Sequence, residues 1–176
     1  MERNYQTIEN NSDFNPFHAL SPLPLVQHLQ SQYSINSYQI PGLCLSITNC
    51  TVEFPPGQHV HSDYEFLMPL HDTIYTKCDK KSLEAEKQKI MPFNSGQYHG
   101  PGDDVTILEG FMCISCEEDY ICEIANSAFG KSAIRFENKS FNLTNNMRLI
   151  LSLFIEEEIG KQRGAAFIQE NLANML

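Results

Sequence analysis

From Ile40 to Ser115 the chain is divided into short apolar runs by turn-forming residues, and this punctuation leaves no room for a helical body. "IPGLCLSITNCTVEFPPG" sets β-branched and apolar side chains at alternating positions between a Pro-Gly and a Pro-Pro-Gly. "HVHSDYEFLMPL", "DTIYTKC", "QKIMPF" and "VTILEGFMCIS" continue the series. A period of two is the signature of a half-buried strand, and Gly and Pro supply the turns between such runs. So many short strands in succession predict an all-β sandwich or barrel.

The flanks read differently. Residues 1–20 are polar and rich in Asn and predict a loosely held arm, and "PLPLVQHLQSQYSINSY" predicts a short helix with Leu25, Leu29 and Tyr33 on one face. After Glu117 the period lengthens. "EEDYICEIANSAFG" predicts a short helix carrying Tyr120, Ile121, Ile124 and Phe129, stopped by Gly130. "TNNMRLILSLFIEEEIG" is the clearest helix, with Thr144 or Asn145 as N-cap and Gly160 at its end. Its apolar stripe is Met147, Ile150, Leu151 and Phe154, which fits either a dimer seam or packing on the barrel. A last helix, "AAFIQENLANML", aligns Ile168, Leu172 and Met175 or Leu176, then stops without a cap, so the sequence reads as cut at Leu176. The expected organisation is an arm over 1–20, a barrel with its lead-in over 21–130 and a helical segment over 131–176.

Composition narrows the function. With 22 acidic against 12 basic residues the formal net charge is −10, so phosphate backbones would repel this chain and it is not expected to bind nucleic acid itself. Arg148, Lys161 and Arg163 are too few for a phosphate-binding patch. No apolar run approaches a membrane span and the polar N-terminus shows no secretory h-region. The six cysteines show no disulfide-framework spacing, which points to reduced thiols and a cytoplasmic protein. "CISC", Cys113 and Cys116, has no second CxxC and sits at a strand end, so both read as small buried side chains. His71 reads as a surface residue of a hairpin, and nothing recommends His18 or His28 as ligands.

The chemistry concentrates in "GQHVHSDYEFL". If Gln58–Leu67 is one strand, His59, His61 and Glu65 share parity and project to one side, with Leu67 following on that face. Two imidazoles and a carboxylate facing a barrel interior form a ligand set for a divalent transition metal. His99, presented by the Ser95-Gly96 turn in "MPFNSGQYHG", is the candidate fourth donor.

The spacing H-x-H-x3-E, followed by "SGQYH", resembles the two cupin motifs, and all four histidine and glutamate positions match as His59, His61, Glu65 and His99. Two positions depart: no glycine follows the glutamate in "FLMPLHDTIY", and Ser95 stands where the second motif has a proline, with Pro92 lying earlier. "VHSDYEFLMPL" resembles the H-x-x-YE strand that opens the sensor domain of AraC-family transcription regulators, and "IMPFNSGQYHG" resembles that family's I-x-P-G-x-x-H turn. "FMCISCEEDYICEIANSAFG" is similar to its strand and short helix leaving the barrel, and the paired terminal helices resemble its linker and dimerisation helices. The resemblance covers roughly 42–176.

That resemblance implies a mainly β fold with C-terminal helices, a cupin-type double-stranded β-helix (jelly-roll) barrel. It implies a ligand-sensing domain that binds a small-molecule effector or a metal ion, forms a homodimer through Met147, Ile150, Leu151 and Phe154, and acts on DNA through a C-terminal domain absent from this chain. The four donors fit Zn, Ni, Fe or Mn; the other reading is an inherited pattern whose members hydrogen-bond a ligand or one another. A metal-dependent cupin enzyme, a dioxygenase or isomerase, is the alternative function, and a structural or storage cupin is the least favoured.

Overall fold

The computed structural model describes residues 36–102, 104 and 106–160 of the chain. The expected arm, the lead-in helix of Leu25, Leu29 and Tyr33 and the last helix of Ile168 and Leu172 lie outside them.

Among the described residues ten strands and two helices follow in order: β1 (Asn36–Ile40), β2 (Leu43–Phe54), β3 (Gly57–His59), β4 (Tyr64–Pro69), β5 (Ile74–Cys78), β6 (Lys81–Ala85), β7 (Lys89–Phe93), β8 (His99–Gly102), β9 (Thr106–Cys116), α1 (Glu118–Phe129), β10 (Phe141–Asn142) and α2 (Asn145–Gly160). They form a six-stranded sheet, β1-β2-β9-β4-β7-β10, and a four-stranded sheet, β3-β8-β5-β6. All pairings are antiparallel. From β2 to β5 and again from β6 to β9 the chain steps repeatedly between the sheets. That is the winding of a jelly roll, the double-stranded β-helix expected from the sequence. The short strand β6 and the two-residue β10 carry too few apolar residues to show in the sequence pattern.

The alternation sorts side chains into two cores. Between the sheets lie Val52, Ile74, Cys78, Ala85, Met91, Phe93, Leu108 and Phe111, with Phe54, Leu67, Leu83 and Cys113 against them. On the outer face of the six-stranded sheet lie Ile40, Leu43, Leu45, Met68, Ile90, Met112, Ile114 and Cys116, covered by Tyr120 and Ile121 of α1 and Met147 and Leu151 of α2. Each fully buried large aliphatic or aromatic side chain contributes about 1.5–3 kcal/mol relative to exposure. Leu108 and Phe111 both face inward although three residues apart, because the β2–β9 register shifts there: Thr48 pairs Phe111 and Thr51 pairs Glu109. Gly110, at φ +77°, supplies the left-handed backbone this irregularity requires.

α1 ends as expected at Gly130, left-handed at φ +67°, whose amide donates to the Asn126 carbonyl at 2.9 Å. Phe129 does not share its buried face and is 70% exposed. α2 is capped by Thr144, whose hydroxyl accepts from the Met147 amide at 3.2 Å. Leu151 belongs to the outer core and Met147 packs against it, so these two take the second of the two roles open in the sequence, and Ile150 is buried beside them in the chain. Nothing is described of the Phe154 side chain. Among the residues of α2 whose side chains are described, Leu149 (59%) and Leu153 (38%), one turn apart, are exposed. Among the described residues no helix is long and apolar enough to cross a membrane.

Candidate metal centre

The histidine-rich stretch is not one strand. β3 ends at His59 in the four-stranded sheet and β4 begins at Tyr64 in the six-stranded sheet, with a corner over 60–63 between them. Strict parity therefore does not bring His59, His61 and Glu65 together; the chain's step from one sheet to the other does. Within β4 the alternation holds: Glu65 shares the inward face with Leu67, while Phe66 and Met68 face the outer core. His71, past this strand, is exposed, as expected.

His99 opens β8 directly opposite His59, and Glu65 stands opposite Phe93 on one side and Ser115 on the other. One donor atom from each of His59, His61, Glu65 and His99 lies within 4.8 Å of the others. The imidazole centroids are 4.3 Å apart for His59 and His99, 5.0 Å for His61 and His99, and 5.4 Å for His59 and His61. Glu65 Oε2 sits 3.4 Å from His61 Nε2 and 3.5 Å from His99 Nε2. Behind the cluster, the His99 ring stacks on Phe93.

A short hub of backbone and side-chain bonds fixes the fourth donor. Gly96, at φ +69°, donates its amide to the His61 carbonyl at 2.9 Å, which ties the turn to the corner. His99 Nδ1 lies 2.8 Å from the Gln97 carbonyl oxygen. A carbonyl only accepts, so Nδ1 carries the proton, and in the neutral ring Nε2 presents its lone pair toward the cluster. This is the outer-shell bond that orients histidines in metal sites.

Electrostatics follow from burial. Desolvation, reinforced by the neighbouring His99 and His61, pushes His59 well below the ordinary histidine range despite the opposing pull of Glu65, so its ring is neutral. Burial alone would push Glu65 up, but the neighbouring His61 and His99 outweigh it and hold the carboxyl well below its usual range. His99 Nε2 is buried with no hydrogen-bond partner of acceptable geometry. In the neutral tautomer two Lewis bases, an imidazole lone pair and a carboxylate oxygen, face each other at 3.5 Å, with the Glu65 side chain 19% exposed. A cation between them, a proton or a metal ion, stabilises such a pair. The donor set fits a divalent transition metal, which three imidazoles and a carboxylate would hold.

The paired cysteines of "CISC" face opposite ways, Cys113 toward the interior core and Cys116 toward the outer one. Burial, reinforced for Cys113 by Glu65, pushes both thiols well up, so neither is a ready thiolate. Sequence reasoning missed the Ser115 hydroxyl, which is buried opposite Glu65 without a hydrogen-bond partner. A serine in a strand carries no signal of its facing.

Among the described residues, fold and site together define a jelly-roll barrel with a largely half-buried cluster of three histidines and one carboxylate. No family model and no curated protein matches the chain. Among solved structures it is similar to a cupin protein from Bacteroides fragilis, 17% identical, covering 49% of this chain and 78% of that one at a TM-score of 0.36. An RmlC-like cupin family protein with a double-stranded β-helix fold from Methanocaldococcus jannaschii is 10% identical, with 47% and 78% covered and a TM-score of 0.36. The Cnp3 cupin domain of Schizosaccharomyces pombe is 15% identical, with 59% and 74% covered and a TM-score of 0.34. At these scores the overlays add nothing to the assignment, which rests on the strand order and the site.

Proposed function

We propose that the chain is a metal- or effector-sensing domain of an AraC-type transcriptional regulator, with His59, His61, Glu65 and His99 as the ligands of a divalent transition metal (Zn, Ni, Fe or Mn). The observation that carries the metal reading is the opposition of His99 Nε2 and Glu65 Oε2 at 3.5 Å, which a cation resolves. A bound ion would act as a Lewis acid and leave coordination positions open to a small-molecule effector. In this reading the protein is a homodimer and DNA is contacted by a separate domain, consistent with the acidic charge of this chain. Because Met147 and Leu151 pack on the barrel and Ile150 is buried, the dimer seam would use the other face of α2, where Leu149 and Leu153 are exposed. Sensing requires only that metal or effector bind one arrangement of barrel and helices better than another.

The same donor set also suits a metal-dependent cupin enzyme, a dioxygenase or isomerase. Elemental analysis of the purified chain beside a His59→Ala/His61→Ala variant tests the site. Stoichiometric metal in the first and none in the second is expected; equal, sub-stoichiometric metal in both would overturn it. Reading the gene past Leu176 separates the functions: two helix-turn-helix units are expected, and their absence would move the assignment to the enzyme.

A further inference from the structure

The turn that presents His99 is also bonded to a strap, residues 131–140, that runs from α1 to β10 and α2. Asn94 and Gln97, 3% and 6% exposed, do this work. The Asn94 amide donates to the Phe136 carbonyl at 3.0 Å, and its oxygen accepts from the Phe136 amide at 2.7 Å. Gln97 Nε2 donates to Asn138 Oδ1 at 2.9 Å, while Asn138 Nδ2 donates to Gln97 Oε1 and to the Pro92 carbonyl, each at 2.9 Å. Phe136 is held edge-on by Tyr64 and Phe66, centroids 5.7 and 5.1 Å away. Ser95, on the same turn, donates to Glu118 in the first turn of α1 at 2.8 Å. One four-residue turn thus fixes two donor residues, through the Gly96 amide on His61 and the Gln97 carbonyl on His99, and it also holds the segment leading to α2.

We propose that Gln97 and Asn138 are positioning residues for the four-donor site, and that occupancy of the site is linked to seating of the 131–140 strap and through it to α2. This rests on the metal reading above. The physical basis is a shared amide network: Gln97 also accepts from the Asn94 backbone and side-chain amides at 3.1 Å and donates to Asp79 at 3.0 Å, so the bonds to Asn138 join the strap to a turn that is already tied together. Linkage is reciprocal, so whatever factor the seated strap adds to metal affinity, bound metal adds to strap seating.

The test titrates Zn²⁺ and Ni²⁺ into the wild-type chain, Asn138→Ala, Asn138→Asp and Val52→Ala, and follows amide exchange of residues 131–142 with and without metal. Asn138→Asp keeps the acceptor for Gln97 and loses both donors. Val52 is fully buried in the interior core opposite Leu108, so its truncation destabilises the fold without touching the turn. The expected result is tenfold or more weaker metal binding in both Asn138 variants, wild-type affinity in Val52→Ala, and slower strap exchange in the metal-loaded wild type. Wild-type affinity in the Asn138 variants, or strap exchange indifferent to metal, overturns the linkage and leaves the metal site standing. No metal uptake by the wild type overturns both. Should neither Asn138 variant fold, the wild-type exchange comparison alone decides.

Discussion

The imidazole of His99 lies flat against the ring of Phe93, with centroids 4.4 Å apart and planes inclined by only 12°. Phe93 is 1% exposed and stands opposite Glu65 in the neighbouring strand, so it forms the apolar wall behind both residues. Phe93→Ala should cost about 3–5 kcal/mol through the cavity it opens, and Phe93→Leu about 1–2 kcal/mol. Urea unfolding measures both. A midpoint unchanged in the alanine variant would show that the wall is not packed as described.

Glu65→Gln tests the carboxylate in the metal-free and the metal-bound site. The variant loses the ionised carboxylate that His61 and His99 hold in its charged form, so in chelator at neutral pH it should be less stable than wild type. A loss of about 0.5–1.5 kcal/mol is the size of one hydrogen bond. Its metal affinity should fall at least tenfold with the loss of the carboxylate ligand. Thermal melts in chelator and competition against a chromophoric chelator read the two effects. Undiminished stability together with undiminished affinity would contradict the site.

Acid should destabilise the metal-free chain in two stages. His59 is held below its ordinary value of 6.5, so the unfolded chain binds the proton first. Stability is therefore complete above about pH 6.5 and falls as pH drops toward the folded value. Glu65 is also depressed, so its contribution is complete above its ordinary 4.5 and is lost as pH falls through its lower folded value. Both stages have the same sign. Urea midpoints between pH 8 and about pH 2 check it, and His59→Gln should remove the upper stage; a midpoint that rises on acidification would refute the neutral ring.

Tyr64 reaches across the outer face to donate its hydroxyl to the Ile134 carbonyl at 2.6 Å. Tyr64→Phe should cost about 1 kcal/mol. In a chain of this size that lowers Tm by about 2–4 °C. Calorimetry suffices, and an unchanged Tm would mean that water replaces the bond at no cost.

Leu149→Glu/Leu153→Glu places charge on the exposed face of α2 without touching Ile150 or Leu151 beneath it. Sedimentation equilibrium should show a wild-type dimer and a folded monomeric variant. A variant that remains dimeric would place the seam elsewhere.

Much of this was legible along the chain because the relevant signals are local. Alternation located β2, β4, β5, β7 and β9, and Thr144 and Gly130 marked where helices begin and end. The four donor residues were named from residue type, an assumed shared strand, the turn before His99 and the resemblance to the cupin motifs, although the shared strand does not exist. The stripe of Met147, Ile150 and Leu151 was legible as apolar but not as to what it covers, since periodicity records that a face is buried and never against what. β6 was missed because an edge strand exposed on its outer face has polar residues at most of its positions.

The sequence by itself determined that a β-barrel would form, followed by helices, and which side chains could bind a cation, because hydrophobic period and residue chemistry are properties of neighbours in the chain. Only the tertiary structure decided how those side chains meet. His59 and Glu65 converge because a corner carries the chain from one sheet to the other, and His99 arrives as the cross-strand partner of His59. The hydrogen bond to the Gln97 carbonyl then sets which ring nitrogen faces Glu65. Those relations depend on pairing and closure between strands distant in sequence, which no local pattern encodes.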